Sequence, residues 1–172
     1  NLTMRLDYEM QPLRRAPLSP AALIRQTAAD FLNGGLDEKY SIEVQIDRSA
    51  QSLTLEADQF LLLRALANLV NNCIRHNPDG CAITLGVRSR GKECVLWVRN
   101  QIASGEDPRP QFRRQRLQLP PLRQERGGLL PDGTAGHGTG LKLVEQIARA
   151  HNGRAVLRGG EGYFCCEVWL PL

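Results

Sequence analysis

The 172-residue chain reads as an α/β protein, and three observations carry that reading. Apolar residues recur at helical spacing over about 20–31, 58–76 and 139–151, whereas 41–47, 52–55, 81–87, 93–99, 154–158 and 163–170 read as strands, most plainly where Ile42, Val44 and Ile46 alternate with polar neighbours. Turn-forming clusters separate these stretches, including Asn33-Gly34-Gly35, Asn77-Pro78-Asp79-Gly80 and Asn152-Gly153. The length suits one domain with a proper core.

Taken in order, residues 1–11 carry a helical stripe of Leu2, Leu6 and Met10 that stops at Pro12, read as the tail of a helix. A proline-bearing linker follows. Ser19-Pro20 is a good helix start, an N-cap before a proline in the first turn. Asp58 caps a second helix, which Asn77-Pro78 ends. The strands at 81–87 and 93–99 form a hairpin over Ser89-Arg90-Gly91-Lys92. From 101 to 135 periodicity disappears among five prolines and an arginine-rich run, which predicts a lid or an unstructured segment. A third helix and two final strands close the chain.

Composition limits the function classes. Hydrophobic content of 42% and charged content of 23% are ordinary for a globular protein. No apolar run approaches the ~20 residues that span a bilayer, and the chain, which lacks an initial Met, is expected to be a piece of a longer one. The net charge of +4 suits an anionic ligand, but aromatics at 5% do not interleave with the basic residues as in a single-strand binder, so no nucleic-acid partner is expected. Cys73, Cys81, Cys94, Cys165 and Cys166 form no CxxC pair and are expected to be reduced, buried thiols of a cytosolic domain.

Two segments carry the chemistry. On a wheel of about 100° per residue, Asn68, Asn72 and Arg75 share a stripe of roughly 60°. Leu62, Leu66, Leu69, Val70 and Cys73 form another stripe, so the helix can bury its leucines and present carboxamides and a guanidinium elsewhere. Neutral oxygen donors suit Mg²⁺, which needs few protein ligands beside phosphates. Arg75 can pair with phosphate oxygens. The second segment is Gly136-His137-Gly138-Thr139-Gly140-Leu141, a glycine-rich loop running into a helix. Its glycines admit close backbone approach, and the helix start offers N–H groups to an anion. It is neither a Walker motif nor a post-strand dinucleotide fingerprint.

The stretch Leu66-Ala67-Asn68-Leu69-Val70-Asn71-Asn72-Cys73-Ile74-Arg75-His76-Asn77-Pro78 resembles the N-box of sensor histidine kinases. Residues 136–144, running on to Ala150-His151-Asn152-Gly153, are similar to their G2 box and the helix after it, and Trp169-Leu170-Pro171-Leu172 to their last strand. The resemblance implies the ATP-binding catalytic domain of a two-component sensor kinase. It implies a two-layer α/β sandwich, a mixed sheet under about three helices, in the fold shared with gyrase, Hsp90 and MutL. The domain would cover 16–172, with a lid at about 101–135 and the end of a dimerisation helix plus linker at 1–15.

On that resemblance Asn68 and Asn72 hold Mg²⁺ and phosphate. Arg75 and His76 occupy basic and aromatic N-box positions, and Gly136, His137, Gly138, Thr139, Gly140 and Leu141 belong to the ATP site. Asn71 stands where many relatives carry a glutamate general base, and an amide gives no such base. Asn100 replaces the aspartate that accepts from the adenine amino group, weakening that contact by roughly 1 kcal/mol. Ile102 replaces a glycine, and Phe112-Arg113-Arg114 is read as a remnant of the lid motif.

His76, His137 and His151 lack the context of a phosphoacceptor, which is expected on the dimerisation segment. His151 is read as a helix-end dipole partner or cap. The implied partners are that segment, a response regulator and a second copy of the chain, and the intact protein is expected at the bacterial cell membrane. Two other readings stay open. One is a degenerate domain acting as a binding or scaffold module, and the other is a related ATPase of the same fold.

Overall fold

The computed structural model describes residues 12–101, 135–160 and 162–172, with side chains in the last helix from Gly140 onward. The helical tail expected at 1–11, the lid, Ile102 and Phe112–Arg114 lie outside the described residues.

Strand order follows from a single sheet that must cover one apolar face. β1 (Ala16–Leu18) leads into α1 (Pro20–Asn33), then β2 (Tyr40–Ile46), β3 (Leu55–Ala57), α2 (Gln59–His76), β4 (Cys81–Arg90), β5 (Glu93–Gln101), α3 (Ala135–Ala150), β6 (Arg154–Gly160) and β7 (Tyr163–Pro171). Five strands form one mixed sheet in the order β2-β4-β5-β7-β6, with β2 and β4 parallel and the other neighbours antiparallel. A parallel pair needs a long crossover, and α2 lies in the one joining β2 to β4. Ile83, Leu85, Val87, Leu96, Val98, Val168 and Leu170 point from the sheet toward Ile24, Leu62, Leu66, Val144 and Ile147 of the three helices, in one continuous core. The result is the two-layer α/β sandwich expected.

Each helix shows why it forms where it does. The Ser19 hydroxyl accepts the N–H of Ala22 at 3.1 Å, and Pro20 occupies the first turn of α1. The Asp58 carboxylate accepts the N–H of Leu61 at 3.1 Å to cap α2. Leu62, Leu66, Leu69 and Val70 of α2 are each no more than 2% exposed, and burying each side chain stabilises by about 2 kcal/mol. That margin lets the same helix carry costly polar groups on another stripe.

Four boundaries differ from the expectations. The supposed linker contains β1, which pairs antiparallel with β3, Leu18 opposite Leu55. The strand expected at 52–55 lies instead at Leu55–Ala57, because Leu55 and Ala57 are the alternate residues that find the core. The hairpin strands run further on both sides and leave Gly91 and Lys92 as the turn. α3 begins at Ala135 rather than 139, so Gly136, His137, Gly138 and Thr139 form its first turn instead of a preceding loop. Glycines are weak helix formers on propensity alone, which is why the periodic signal starts late.

The five cysteines are free and buried, as expected. Burial holds the Cys73 and Cys166 thiols far above their usual range and pushes Cys94 and Cys165 up to about 12, so none of these four is poised as a thiolate. Among the described residues, no helix is long and apolar enough to cross a membrane.

Candidate nucleotide site

Asn72 is the residue around which the site is built. It is 5% exposed, on the stripe of α2 that turns away from the leucines, and neither its Oδ1 nor its Nδ2 has a hydrogen-bond partner among the described residues. Gly140 of α3 faces it. A Cβ there would stand 3.6 Å from Oδ1 and 3.7 Å from Nδ2 of Asn72. A buried amide with both ends unbonded costs roughly 1–3 kcal/mol, and buried polar groups otherwise nearly always find partners. Such an amide is a candidate ligand contact, and its neutral oxygen belongs to the donor class that Mg²⁺ accepts.

The other expected residues distribute around this centre. Asn68 is half-buried one turn before Asn72 on the same stripe. Arg75 is exposed and His76 half-buried in the last turn of α2, where cationic groups favour the helix dipole. Asn100 sits on β5 between Ile83 and Phe164, on the core face, 2% exposed and with its Oδ1 unpartnered among the described residues. Asn72 and Asn100 thus share one signature, a buried carboxamide oxygen without a donor. Gly136, His137, Gly138 and Thr139 are placed by their backbone on the first turn of α3. Leu141, expected at the ATP site, is 4% exposed and its side chain belongs to the apolar core. Periodicity around the glycines could have shown this, since Leu141, Val144 and Ala148 share a helical face.

Two residues brace this region through long-range bonds of which only the helix-end half was legible in advance. Asn77 is fully buried. Its amide donates to the Cys73 carbonyl at 2.9 Å, and its carbonyl accepts the Tyr40 hydroxyl at 2.7 Å and the Gly80 N–H at 2.9 Å. These bonds tie the end of α2, with Arg75 and His76, to β2. His151, at the end of α3, is 2% exposed; its Nδ1–H donates to the Ile147 carbonyl at 2.8 Å and its Nε2 accepts the Asp58 N–H at 3.0 Å. The imidazole therefore does more than cap its own helix: it links α3 to the N-cap of α2.

That arrangement requires a neutral ring. Burial lowers the His151 pKa, as does nearby Arg15, against the opposing pull of the Ile147 carbonyl and Asp58. A base with a depressed folded pKa contributes stability that is complete above its ordinary value of 6.5 and is lost as pH falls below it. We expect the melting temperature to fall between roughly pH 7.5 and 5.5, and to fall less in His151→Gln. An equal pH dependence in both proteins, measured by circular dichroism, would remove His151 from this role.

One mixed sheet roofed by three helices, with an amide on α2 that has no partner among the described residues facing a glycine of α3, defines a two-layer α/β sandwich with a candidate ligand site between its helices. Over residues 57–172 the chain matches the family described as histidine kinase-, DNA gyrase B-, and HSP90-like ATPase, and it belongs to that family. It is 32% identical over 105 residues to the probable sensor kinase SilS of Salmonella typhimurium, covering 58% of this chain and 19% of that protein. It is 26% identical over 153 residues to the sensor histidine kinase YvrG of Bacillus subtilis (strain 168), covering 89% of this chain and 25% of YvrG. The chain thus spans a quarter or less of those two relatives. The catalytic domain of the histidine kinase ThkA has the same fold, with a TM-score of 0.68 at 19% identity over 92% of this chain and 96% of that one. ThkA in complex with the response regulator protein TrrA matches with a TM-score of 0.68 at 17% identity, over 99% of this chain and 46% of that one.

Proposed function

We propose that this chain is the ATP-binding catalytic domain of a sensor histidine kinase, passing the γ-phosphoryl group of Mg·ATP to a histidine on a dimerisation segment. The observation that carries the proposal is the buried, unpartnered amide of Asn72 opposite Gly140. In this reading the Oδ1 atoms of Asn72 and Asn68 hold Mg²⁺, which, when bound, neutralises charge on the phosphates. Arg75 pairs with phosphate oxygens, the N–H groups at residues 136–140 approach the phosphates, and Asn100 accepts from the adenine amino group. Catalysis is then positioning and charge stabilisation, since Asn71 offers no proton acceptor. His151, bonded at both ring nitrogens, is unsuited to accept a phosphoryl group. The service of a response regulator is supported by the likeness to ThkA in complex with the response regulator protein TrrA, while a homodimeric, membrane-associated whole protein is part of the proposal and follows from the motif resemblance alone.

Calorimetric titration with ATP and Mg²⁺ tests this reading. Saturable heat is expected at micromolar to millimolar nucleotide, lost in Gly140→Val, whose extra methyl groups would crowd the Asn72 amide. No heat at millimolar ATP would favour a degenerate binding module instead. Preference for ATP over GTP tests Asn100 separately, because adenine carries an amino donor at C6, from which its Oδ1 can accept, where guanine carries a carbonyl oxygen.

A further inference from the structure

The face of the sheet that the helices leave uncovered carries its own organised chemistry. Glu167 of β7 is nearly buried there, and it accepts from Arg88 at 3.0 Å, from Arg158 at 2.8 Å and from the Trp169 indole at 3.0 Å. Burial alone would raise the Glu167 carboxyl, but these three donors outweigh it and hold its pKa low. Trp97 of β5 lies across Gly86 of β4, where a Cβ would come within 2.2 Å of the indole. The Arg99 guanidinium stacks on Trp97 at 5.3 Å. Arg99 Nε is buried without an acceptor among the described residues, and neither Arg99 nor Arg48 makes an ion pair there.

These groups line a cavity of ≈ 750 Å³ that runs from the end of β2 across β4, β5 and β7 to β6. Four strand spacings of about 4.8 Å make it about 19 Å long, the reach of five or six extended residues. Four guanidinium groups on its walls face two carboxylates, Asp47 and Glu167, so two positive charges are uncompensated. Asp47 is engaged by the N–H and hydroxyl of Ser49, and Glu167 by its arginines. Arg99 has no carboxylate partner among the described residues, and exposed Arg48, about two strand spacings, or 10 Å, away, shares the field of Asp47 with Arg88, so both keep positive charge for a ligand. Tryptophan and arginine are the residues that anchor protein interfaces.

We propose that this groove docks an extended acidic peptide segment of a partner protein, whose carboxylates pair with Arg99 and Arg48 on either side of the Trp97 platform. A phosphodiester chain fits less well, because its closely spaced charges would pass over Glu167. The site lies on the opposite face from Asn72 and does not depend on the nucleotide reading.

The chain's two tryptophans, Trp97 and Trp169, both lie on this face, so intrinsic fluorescence reports on it directly. The experiment titrates the full 172-residue protein with a capped hexapeptide alternating glutamate and serine. Parallel titrations use the glutamine version, inorganic phosphate and a uridine hexanucleotide. A saturable emission change with the acidic peptide alone is expected, weakening with added salt. Arg99→Gln should raise its Kd at least about tenfold, and the exposed variant Arg48→Gln about threefold, with circular dichroism unchanged for Arg48→Gln. Several outcomes would overturn the proposal: no change with the peptide, an equal change with the glutamine version or phosphate, tighter binding of the oligonucleotide, or no weakening in Arg48→Gln.

Discussion

Asn72→Ala is expected to make the nucleotide-free protein as stable as the parent or more so, while reducing Mg·ATP affinity by at least about tenfold. The side chain is 5% exposed, and its two polar atoms have no partner among the described residues. Removing it relieves an unsatisfied-amide cost of about 1–3 kcal/mol and replaces a poor mid-helix residue with the best one, worth roughly 0.5 kcal/mol. Against this stands the small cavity left by three heavy atoms, about 1 kcal/mol. The balance is about 0.5 to 2.5 kcal/mol in favour of alanine, or a melting temperature roughly 1–10 °C higher. Binding moves the other way, because the lost hydrogen bonds are to charged or metal-bound groups, worth about 1.5–3 kcal/mol each. An ordinary buried core position would lose stability and leave binding alone. Scanning calorimetry and a nucleotide titration on the same sample separate the two, and a melting temperature that falls by several degrees would sink the idea that Asn72 is held in place for a ligand.

What could be read from the chain depended on how local the physics was. Asn68, Asn72 and Arg75 were legible because one helix brings them onto one stripe, and helix periodicity needs no tertiary knowledge. The caps Ser19 and Asp58 were legible for the same reason. The β1–β3 pair was not: β1 is three residues long, contains Pro17, and is defined by a partner some forty residues away. The bond from Asp58 to His151 spans 93 residues, so the helix-end dipole reading found only the local half of what that ring does. Glu167 and its arginines are drawn from three strands whose order in the sheet could not be read from alternation alone. Leu141 was assigned to the nucleotide by position in a motif, whereas its side chain follows the helix periodicity into the core. The candidate site was legible where unusual residues share one element. The back face stayed hidden because its charges look ordinary until strands are placed side by side.

Gly153→Ala should be among the most damaging single-methyl additions in the chain, and the reason separates two roles that Asn152-Gly153 confounds. Helices commonly end with glycine in the left-handed conformation, but here Asn152 takes it, at φ 63. The N–H of Gly153 reaches the Ala148 carbonyl at 2.8 Å and that of Asn152 the Arg149 carbonyl at 2.9 Å, which closes α3 in a Schellman arrangement. Gly153 is needed instead for space. A Cβ there would lie 1.9 Å from the Trp169 carbonyl oxygen and 3.0 Å from its carbon. That carbonyl is backbone in β7, so it cannot swing aside as a side chain would. β6 must shift against β7, disturbing Trp169, whose indole is bonded to Glu167 and lies under Arg154 at 4.5 Å. A cost of about 3 kcal/mol or more follows, lowering the melting temperature by roughly 6–12 °C. Asn152→Gly, by contrast, should change stability by less than about 1 kcal/mol, because glycine accepts the left-handed backbone without strain. If denaturant unfolding ranked the two variants in the opposite order, glycine's role here would be conformational, and the close approach of the 153 backbone to β7 would be wrong.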